Sequence, residues 1–167
     1  MPASGDGRPF RSGRPSAIYA AWSQVVAGTG QGPAQTITDD DTLKQGGVNN
    51  RPWGIDAPEL AQTCSDGWPA GRLAATRLQA RTVRRSIVRQ LRDRNRYGRV
   101  VAICRVGGED LGAILVREGL AWAFVRYSSD YVGQEAAAKA ARRGVHAHGC
   151  QPPWGWRVPL REGAKYR

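Results

Sequence analysis

Two largely apolar segments in the middle of the chain are predicted to be β-strands. They are "SIVRQL" (86–91) and "RVVAICRV" (99–106), and the polar run "RDRNRYG" (92–98) between them is typical of a turn. Further along, "LAWAFVRYS" (120–128) is predicted to be a strand or an extended segment. The pattern therefore predicts two strands joined by a polar turn, with more extended chain to follow.

A second pair of strands is predicted earlier in the chain. The segment "QTIT" (35–38) alternates, and "VNNRPWGID" (48–56) follows a Gly46-Gly47 turn as its expected hairpin partner. Pro52 has no backbone N–H to donate to a neighbouring strand. We therefore expect the strand that contains Pro52 to lie at a sheet edge or to carry a bulge there.

Helical periodicity appears in two segments, one before and one after the strand pair predicted at 86–106. The segment "AGRLAATRLQARTV" (70–83) consists of helix formers, with Leu73, Ala74 and Leu78 spaced for one buried face. The segment "DLGAILVREG" (110–119) predicts a short helix that Gly119 terminates.

The clearest helical segment is "SDYVGQEAAAKAARRG" (129–144), predicted to begin near 128–130 and to be stopped by Gly144. After it, "QPPWGWR" (151–157) is predicted to be non-helical because of its prolines, with its tryptophans packed on the domain. No internal repeat is evident. About five short strands and three helices indicate an α+β fold.

The charge of the chain is strongly positive and unevenly placed. Its 25 Lys and Arg residues outnumber 14 Asp and Glu, giving a formal charge of +11. Ten arginines and one acid lie between Arg72 and Arg99. Guanidinium groups bind phosphate oxygens in pairs, so we name this the arginine strip and predict a polyanionic partner, nucleic acid before an anionic membrane. The alternative for any one arginine is a solvated helix or strand face.

The first 31 residues differ from the rest of the chain. Arg8, Arg11 and Arg14 precede the apolar run "AIYAAWSQVVAGTG" (17–30), which Ser23 and Gln24 interrupt. The segment is predicted to be a secretory signal cleaved near Ala27–Gly28, or else a disordered N-terminal extension. A secreted or periplasmic location follows from the first interpretation and a cytoplasmic one from the second. No run is long enough to span a membrane, so we expect no stable membrane insertion.

The three cysteines, Cys64, Cys104 and Cys150, have no CxxC spacing and identify neither a zinc site nor a disulfide framework. One disulfide with a free thiol and three reduced cysteines are both open. The segment "HAHGC" (146–150) offers three zinc ligands in five residues, a spacing that rarely fits one tetrahedral ion. We interpret it as a surface loop after the last helix.

Five acids stand close together in a basic chain: Asp39, Asp40, Asp41, Asp56 and Glu59. Clustered carboxylates repel one another, so a metal ion, nearby arginines or a solvated turn must compensate them. An EF-hand is excluded, because the second residue after Asp41 is Leu43 where that loop needs an oxygen ligand.

The order and spacing of five motifs resemble the thermonuclease family, also called staphylococcal nuclease-like domains. The motifs are "DDDT" (39–42), "RPWGIDAPE" (51–59), "NRYGR" (95–99), "LVREGLAWAFVRYSSDY" (115–131) and "PPWGWR" (152–157). The resemblance runs from about Gln35 to Arg157, and we expect one domain over 32–157 followed by a tail at 158–167. It implies a five-stranded OB-type β-barrel with about three helices. It also implies calcium-dependent hydrolysis of phosphodiester bonds in DNA and RNA with little sequence preference.

The resemblance carries specific roles onto residues of this chain. The predicted metal ligands are Asp41, Asp56 and the backbone carbonyl of Ala57. The predicted catalytic residues are Glu59, which serves the attacking water, and Arg51 and Arg99, which bind the phosphate. The predicted substrate contacts are Thr42, Arg96, Tyr97 and Tyr127.

These residue types suit the chemistry of an attacked phosphodiester. Negative charge builds up on the phosphate, so a cation, donors for that charge and a proton acceptor are needed. Carboxylate oxygens are hard ligands suited to Ca²⁺, and arginine stays charged at any working pH.

Several positions depart from the family pattern. Asp40 replaces a turn glycine, Pro52 replaces an apolar neighbour of the arginine, and Asn95 replaces an aspartate. Ala70 stands where some relatives carry a second cysteine, so Cys64 is not expected to find that partner. The alternative function is therefore a catalytically weak or inactive module that binds nucleic acid through its arginine-rich face. A monomer is the default expectation.

Overall fold

The computed structural model describes residues 29–33, 36–37, 42–94 and 99–163. Within these residues there are nine strands, four α-helices and one 3₁₀ helix at Gly144–His146. The strands are β1 Thr29–Pro33, β2 Thr36–Ile37, β3 Leu43–Gln45, β4 Val48–Pro52, β5 Ile55–Asp56, β6 Ser86–Arg94, β7 Val100–Val106, β8 Glu109–Asp110 and β9 Trp122–Ala123. The helices are α1 Ala70–Thr82, α2 Leu111–Arg117, α3 Val132–Ala140 and α4 Pro153–Gly163.

The larger sheet has the order β1-β6-β7-β4-β3-β2, and β8 pairs with β7. The pairing of β4 with β7 is parallel, and the other pairs are antiparallel. Strands β5 and β9 form a separate two-stranded ribbon. The α+β class is confirmed, while the number of helices in the described residues is four rather than about three.

The first hairpin differs from the predicted one. Gly46 and Gly47 do form its turn, with φ of +56° and +77°, but they join β3 to β4. The segment "QTIT" (35–38), which was predicted to pair with β4, instead contributes β2. Strand β2 pairs with the other edge of β3, where Thr36 is opposite Lys44. Successive side chains of a strand point to opposite faces, and in β3 Leu43 accordingly lies in the core while Lys44 lies in solvent.

Pro52 lies at the end of β4 rather than at an edge of the sheet. It is opposite Ala102 of β7, and the Trp53 N–H donates to the Ala102 carbonyl at 2.9 Å. Because successive N–H groups point to opposite sides of a strand, the nitrogen of Pro52 faces the β3 side. The described pairing with β3 stops at Asn50, so the proline is accommodated just beyond it.

Helix α1 was predicted almost to the residue, but its buried face was predicted only in part. Ala70, Ala74 and Leu78 are fully buried at a spacing of four residues, whereas Leu73 is 36% exposed. Helix α2 ends where predicted, with Gly119 at a φ of +72°.

Helix α3 begins at Val132, later than predicted, because residues 125–130 form turns. The prediction that residues 151–157 are non-helical is wrong: α4 begins at Pro153. Proline is tolerated in the first helical turn, where its missing N–H has no partner within the helix. The helix continues to Gly163, beyond the predicted start of the tail.

The main core lies between the larger sheet and helices α1 and α2, around Leu43, Leu78, Ile87, Leu111 and Leu115. A second, smaller cluster contains Cys64, Ala70, Trp122 and Val145, with Trp68 and Cys150 packed against it.

A disulfide joins Cys64 to Cys150, and Cys104 is a buried free thiol. Of the two arrangements left open by the sequence, the structure contains one bridge and one thiol. Cys64 does have a partner, which is not at position 70 but comes from the distant Cys150.

Most of the predicted N-terminal segment lies outside the described residues, so its interpretation as a signal or extension stays a prediction. Residues 29–31 of it belong to β1, which pairs with β6. None of the described helices is long and apolar enough to cross a membrane.

Candidate active site

The acid Asp56 sits at the end of β5 with only 2% of its surface exposed. A turn at Trp53-Gly54 separates β4 from β5 and brings Arg51 back to it, with Arg51 Nη2 3.0 Å from Asp56 Oδ1. Gly54 has a φ of +67°, and a Cβ there would lie 3.0 Å from the Tyr131 ring. Glycine at this turn therefore permits both the backbone conformation and the close packing that pair Arg51 with Asp56.

A second arginine reaches the same carboxylate from α4. Arg157 Nη2 is 2.8 Å from Asp56 Oδ1 and Nη1 is 3.0 Å from Asp56 Oδ2, and Arg157 Nε donates to Glu59 Oε1. Burial alone lowers the pKa of Arg157, but its hydrogen bonds and ion pairs with Asp56 and Glu59 outweigh burial and raise the pKa above its ordinary value. Arg157 stays charged and compensates both acids.

Arg157 had no predicted role, although it ends the motif "PPWGWR". Two aromatic residues just before a lone arginine were the available signal, because they can anchor a segment on the domain. Because the segment was wrongly predicted to be non-helical, the sequence pattern could not place Arg157 relative to the acids.

The chain around Glu59 is held through its backbone. The Glu59 N–H donates to Gln62 Oε1 at 3.1 Å, and the Gln62 N–H donates to the Glu59 carbonyl at 2.7 Å. The first turn of α1 packs directly on this segment at Gly71, where an added Cβ would lie 1.8 Å from the Glu59 oxygen. Glycine is required at 71 for the Glu59 backbone to occupy its place.

The segment that carries Arg157 is tied to the Glu59 loop at two further points. Gln62 Nε2 donates to the Gln151 carbonyl at 2.6 Å, and Cys150 is bonded to Cys64. On α4, Trp154 packs against Phe124 with ring centroids 5.6 Å apart and against Trp122 at 6.4 Å.

The remaining predicted residues are more scattered. Ala57 is fully buried beside Asp56, and Thr42 is buried just before β3. Arg99 is half-buried immediately before β7, whose first residue pairs with Asn50, the neighbour of Arg51. Tyr127 is 64% exposed, with its ring 5.1 Å from Phe124.

The predicted residues Asp41, Arg96 and Tyr97 lie outside the described part of the chain, as do Asp39 and Asp40. Of the predicted site residues, the structure brings Arg51, Asp56 and Glu59 together. Arg157, which was not predicted, binds both acids.

Comparison with known proteins bears on this arrangement. A family model described as "Staphylococcal nuclease homologue" matches residues 51–147, more than half of the chain. The chain belongs to this family. The match begins within β4 and includes β5, the Glu59 loop and α1 to α3. The two acids and Arg51 therefore lie within the matched range, and Arg157 lies outside it.

Relatives of this staphylococcal nuclease-like chain carry nuclease names. "Micrococcal nuclease" of Shigella flexneri is 30% identical over 76% of this chain and 80% of its own length. "Probable endonuclease LCL3" of Schizophyllum commune is 30% identical over 68% of this chain. "Probable staphylococcal-like nuclease CAN1" of Oryza sativa is 31% identical over 66% of it. The matched regions span only 44% and 32% of the last two relatives' own lengths.

The donors at Asp56 fit a hard cation in type. Each carboxylate oxygen has two lone pairs, and Oδ2 accepts one hydrogen bond, from Arg157, whereas Oδ1 accepts two. Within the part of the chain that the structure describes, Asp56 Oδ2 therefore accepts one hydrogen bond fewer than Oδ1, and a carboxylate oxygen is the type of ligand that a hard cation takes. Among the described residues no three His, Cys, Asp or Glu side chains cluster as a metal site. The remaining carboxylate predicted for this site, Asp41, lies outside them.

The arginine strip is not one continuous exposed face. Arg77 and Arg81 pair with Glu118 and Glu109. Arg89 is 5% exposed and donates to Asn50 Oδ1 at 3.0 Å, and burial lowers its pKa. The exposed members in the described residues are Arg72, Arg84, Arg85, Arg92 and Arg94.

The "HAHGC" segment is committed to other contacts. Cys150 is in the disulfide, and His148 Nδ1 is 2.7 Å from Asp66 Oδ2 with its ring stacked 4.6 Å from Trp68. His146 packs edge-on against Trp122. The prediction of a loop after the last helix is wrong in its position, because His146 ends the 3₁₀ helix and α4 follows the segment.

Proposed function

We propose that this chain is a calcium-dependent nuclease that hydrolyses phosphodiester bonds in DNA and RNA with little sequence preference. The observation that supports the proposal most is the meeting of Asp56 and Glu59 with Arg51 and Arg157 in a domain whose relatives are named nucleases. Asp56 is buried, whereas Glu59 is half-buried and within reach of solvent.

Each residue has a distinct role in this proposal. Asp56, the Ala57 carbonyl and Asp41 would hold the ion, which would supply positive charge at the phosphate. Arg51 and Arg99 donate hydrogen bonds to the phosphate as charge develops. Glu59 accepts the proton of the attacking water. Thr42, Arg96, Tyr97 and Tyr127 are proposed to contact the substrate.

The arginine pairing has a consequence for Glu59. Arg157 engages Oε1, so the second carboxylate oxygen, Oε2, is the proposed proton acceptor. Glutamate is a general base only while ionised.

The test is cleavage of single-stranded DNA by the full chain with calcium or with a chelator. Cleavage is expected only with calcium, and Glu59→Gln is expected to remove it. Glu109→Gln is the matched control, because Glu109 is exposed on β8 and pairs with Arg81 away from the acids. Cleavage that survives both the chelator and Glu59→Gln would contradict the proposal.

A second candidate is a non-catalytic module that binds nucleic acid through the arginine strip. The five exposed arginines support it. It predicts metal-independent binding without product, weakened by salt with a log–log slope of about −0.7 per phosphate contact for a single strand. Binding that is insensitive to salt would contradict it.

We also propose that the larger sheet closes into the OB-type barrel. Strands β1 and β2 are the outer members of a six-strand order, which in a flat sheet would place them about 24 Å apart. Only residues 34–35 separate the two strands, and three Cα–Cα steps span at most about 11 Å. The short connection supports a sheet that curls until these strands approach each other.

Export to a secreted or periplasmic location is proposed from the N-terminal sequence and is supported by the Cys64–Cys150 bridge. Disulfides persist mainly in oxidising compartments. Fractionation of cells that express the full chain, with N-terminal sequencing of the product, tests it.

A further inference from the structure

Arg157 makes three hydrogen bonds to two different carboxylates, more than a single ion pair that only fixes a helix to the domain would need. Its Nε bonds to Glu59 while both Nη atoms bond to Asp56, so one planar group bridges the two acids. The guanidinium holds its donors in a fixed fork. The group therefore sets the position of one carboxylate relative to the other, which the flexible glutamate side chain alone cannot do.

The position of Arg157 itself is fixed by its surroundings. The disulfide and the Gln62–Gln151 hydrogen bond tie the segment before α4 to the loop that carries Glu59. Trp154, one helical turn before Arg157, packs between Phe124 and Trp122. Asp56 is paired with Trp122 across the β5–β9 ribbon, so the acid lies opposite one of the residues against which Trp154 packs.

We propose that Arg157 is a positioning residue, which holds the carboxylates of Asp56 and Glu59 in one geometry and acts on the reaction through them. This inference rests on the nuclease function proposed above. Three of the five N–H groups of Arg157 are directed at the two acids, and its side chain is 23% exposed. Arg51 and Arg99 are left as the phosphate-binding arginines.

The first experiment compares Arg157→Gln and Arg157→Lys with the wild-type chain in calcium on single-stranded DNA. For Arg157→Gln, kcat is expected to fall about 10–100-fold, because misplacing a reacting group by about 1 Å costs up to about 100-fold. KM is expected to change less than about threefold, as for a group that does not bind substrate. Arg157→Lys keeps the charge without the fork and should recover part of kcat.

The matched control is Arg117→Gln. Arg117 is exposed at the end of α2, outside the arginine strip, and its loss removes the same charge from the chain. Wild-type kcat in Arg157→Gln would overturn the positioning role, and so would a rise in KM at constant kcat, which is the pattern of a substrate contact.

A second measurement keeps this inference separate from the nuclease proposal. Melting temperatures of Arg157→Gln, Glu59→Gln and the double variant form a double-mutant cycle that needs no turnover. If Arg157 holds Glu59, the double variant should lose less stability than the two single losses together. If the wild type does not cleave, the proposed function fails and the cycle decides. Non-additive losses support the bridge between the acids, and additive losses overturn it.

Discussion

The Cys64–Cys150 bridge offers a prediction whose size follows from the chain. Removing it with Cys64→Ala/Cys150→Ala, or reducing it in the wild type, releases a loop with a sequence separation of 86. In the chain-entropy treatment, closing a loop of 86 residues destabilises the unfolded state by about 4.6 kcal/mol at 25 °C. The native state should lose a comparable free energy of unfolding when the bridge is absent.

This loss has a measurable thermal consequence. One kcal/mol corresponds to about 2–4 °C in melting temperature for a chain of this size, so the midpoint should fall by about 9–18 °C. The assay is thermal unfolding followed by circular dichroism, with and without reductant, with thiol counting to show that the bridge is open.

The bridge also connects stability to the site. It anchors the segment that leads into α4, so its loss should lower nuclease activity at temperatures where the protein is still folded. Reductant should have no effect on the Cys64→Ala/Cys150→Ala variant, which serves as the control. A fully reduced wild type with an unchanged midpoint would refute the idea that this bridge constrains the chain.

Three further predictions concern single side chains. Gly71→Ala places a Cβ 1.8 Å from the Glu59 carbonyl oxygen and should lower kcat by up to about 100-fold. The control is Gly133→Ala on α3, where nothing lies within 4 Å of the new Cβ and kcat should stay unchanged. Equal activities of the two variants would contradict the packing argument. Burial raises the pKa of Cys104 to about 12, so native protein at about pH 8 should not react with a thiol reagent. Unfolded protein should show one reactive thiol, that of Cys104. Rapid reaction of the native protein would contradict this prediction. Burial lowers the pKa of His146 below 6.5, so the unfolded state binds more protons as the pH falls. The contribution of neutral His146 to the free energy of unfolding is therefore complete above about pH 6.5 and is lost as the pH falls through the lowered pKa. Between about pH 7.5 and 5.5 the melting temperature should therefore fall less in His146→Gln than in the wild type.

The buried arginine Arg89 shows how tertiary structure changed the meaning of a sequence feature. In the sequence it is one of ten arginines predicted to form a phosphate-binding strip. In the fold its strand alternates burial, and the position of Arg89 faces inward, where Asn50 accepts its hydrogen bond. The residues on either side, Val88 and Gln90, are the exposed ones. Net charge therefore overestimates the exposed basic surface.

Local signals in the sequence determined much of this protein. Helix α1, the strands β6 and β7, the Gly46-Gly47 turn and the Gly119 stop were all predictable, because periodicity, helix propensity and glycine conformation depend on neighbours a few residues away. The motifs around Arg51, Asp56 and Glu59 were equally local, and the family followed from their order. Asp56 is five positions after Arg51, so one turn was enough to make them meet.

Only the tertiary structure decided which distant segments meet. Arg157 reaches Asp56 across 101 residues, and Cys150 reaches Cys64 across 86. No periodicity encodes such pairs, because they depend on how α4 packs on the β5–β9 ribbon rather than on any local preference. The sequence identified the acids and one of the arginines that compensate them, and the packing of the C-terminal helix supplied the other.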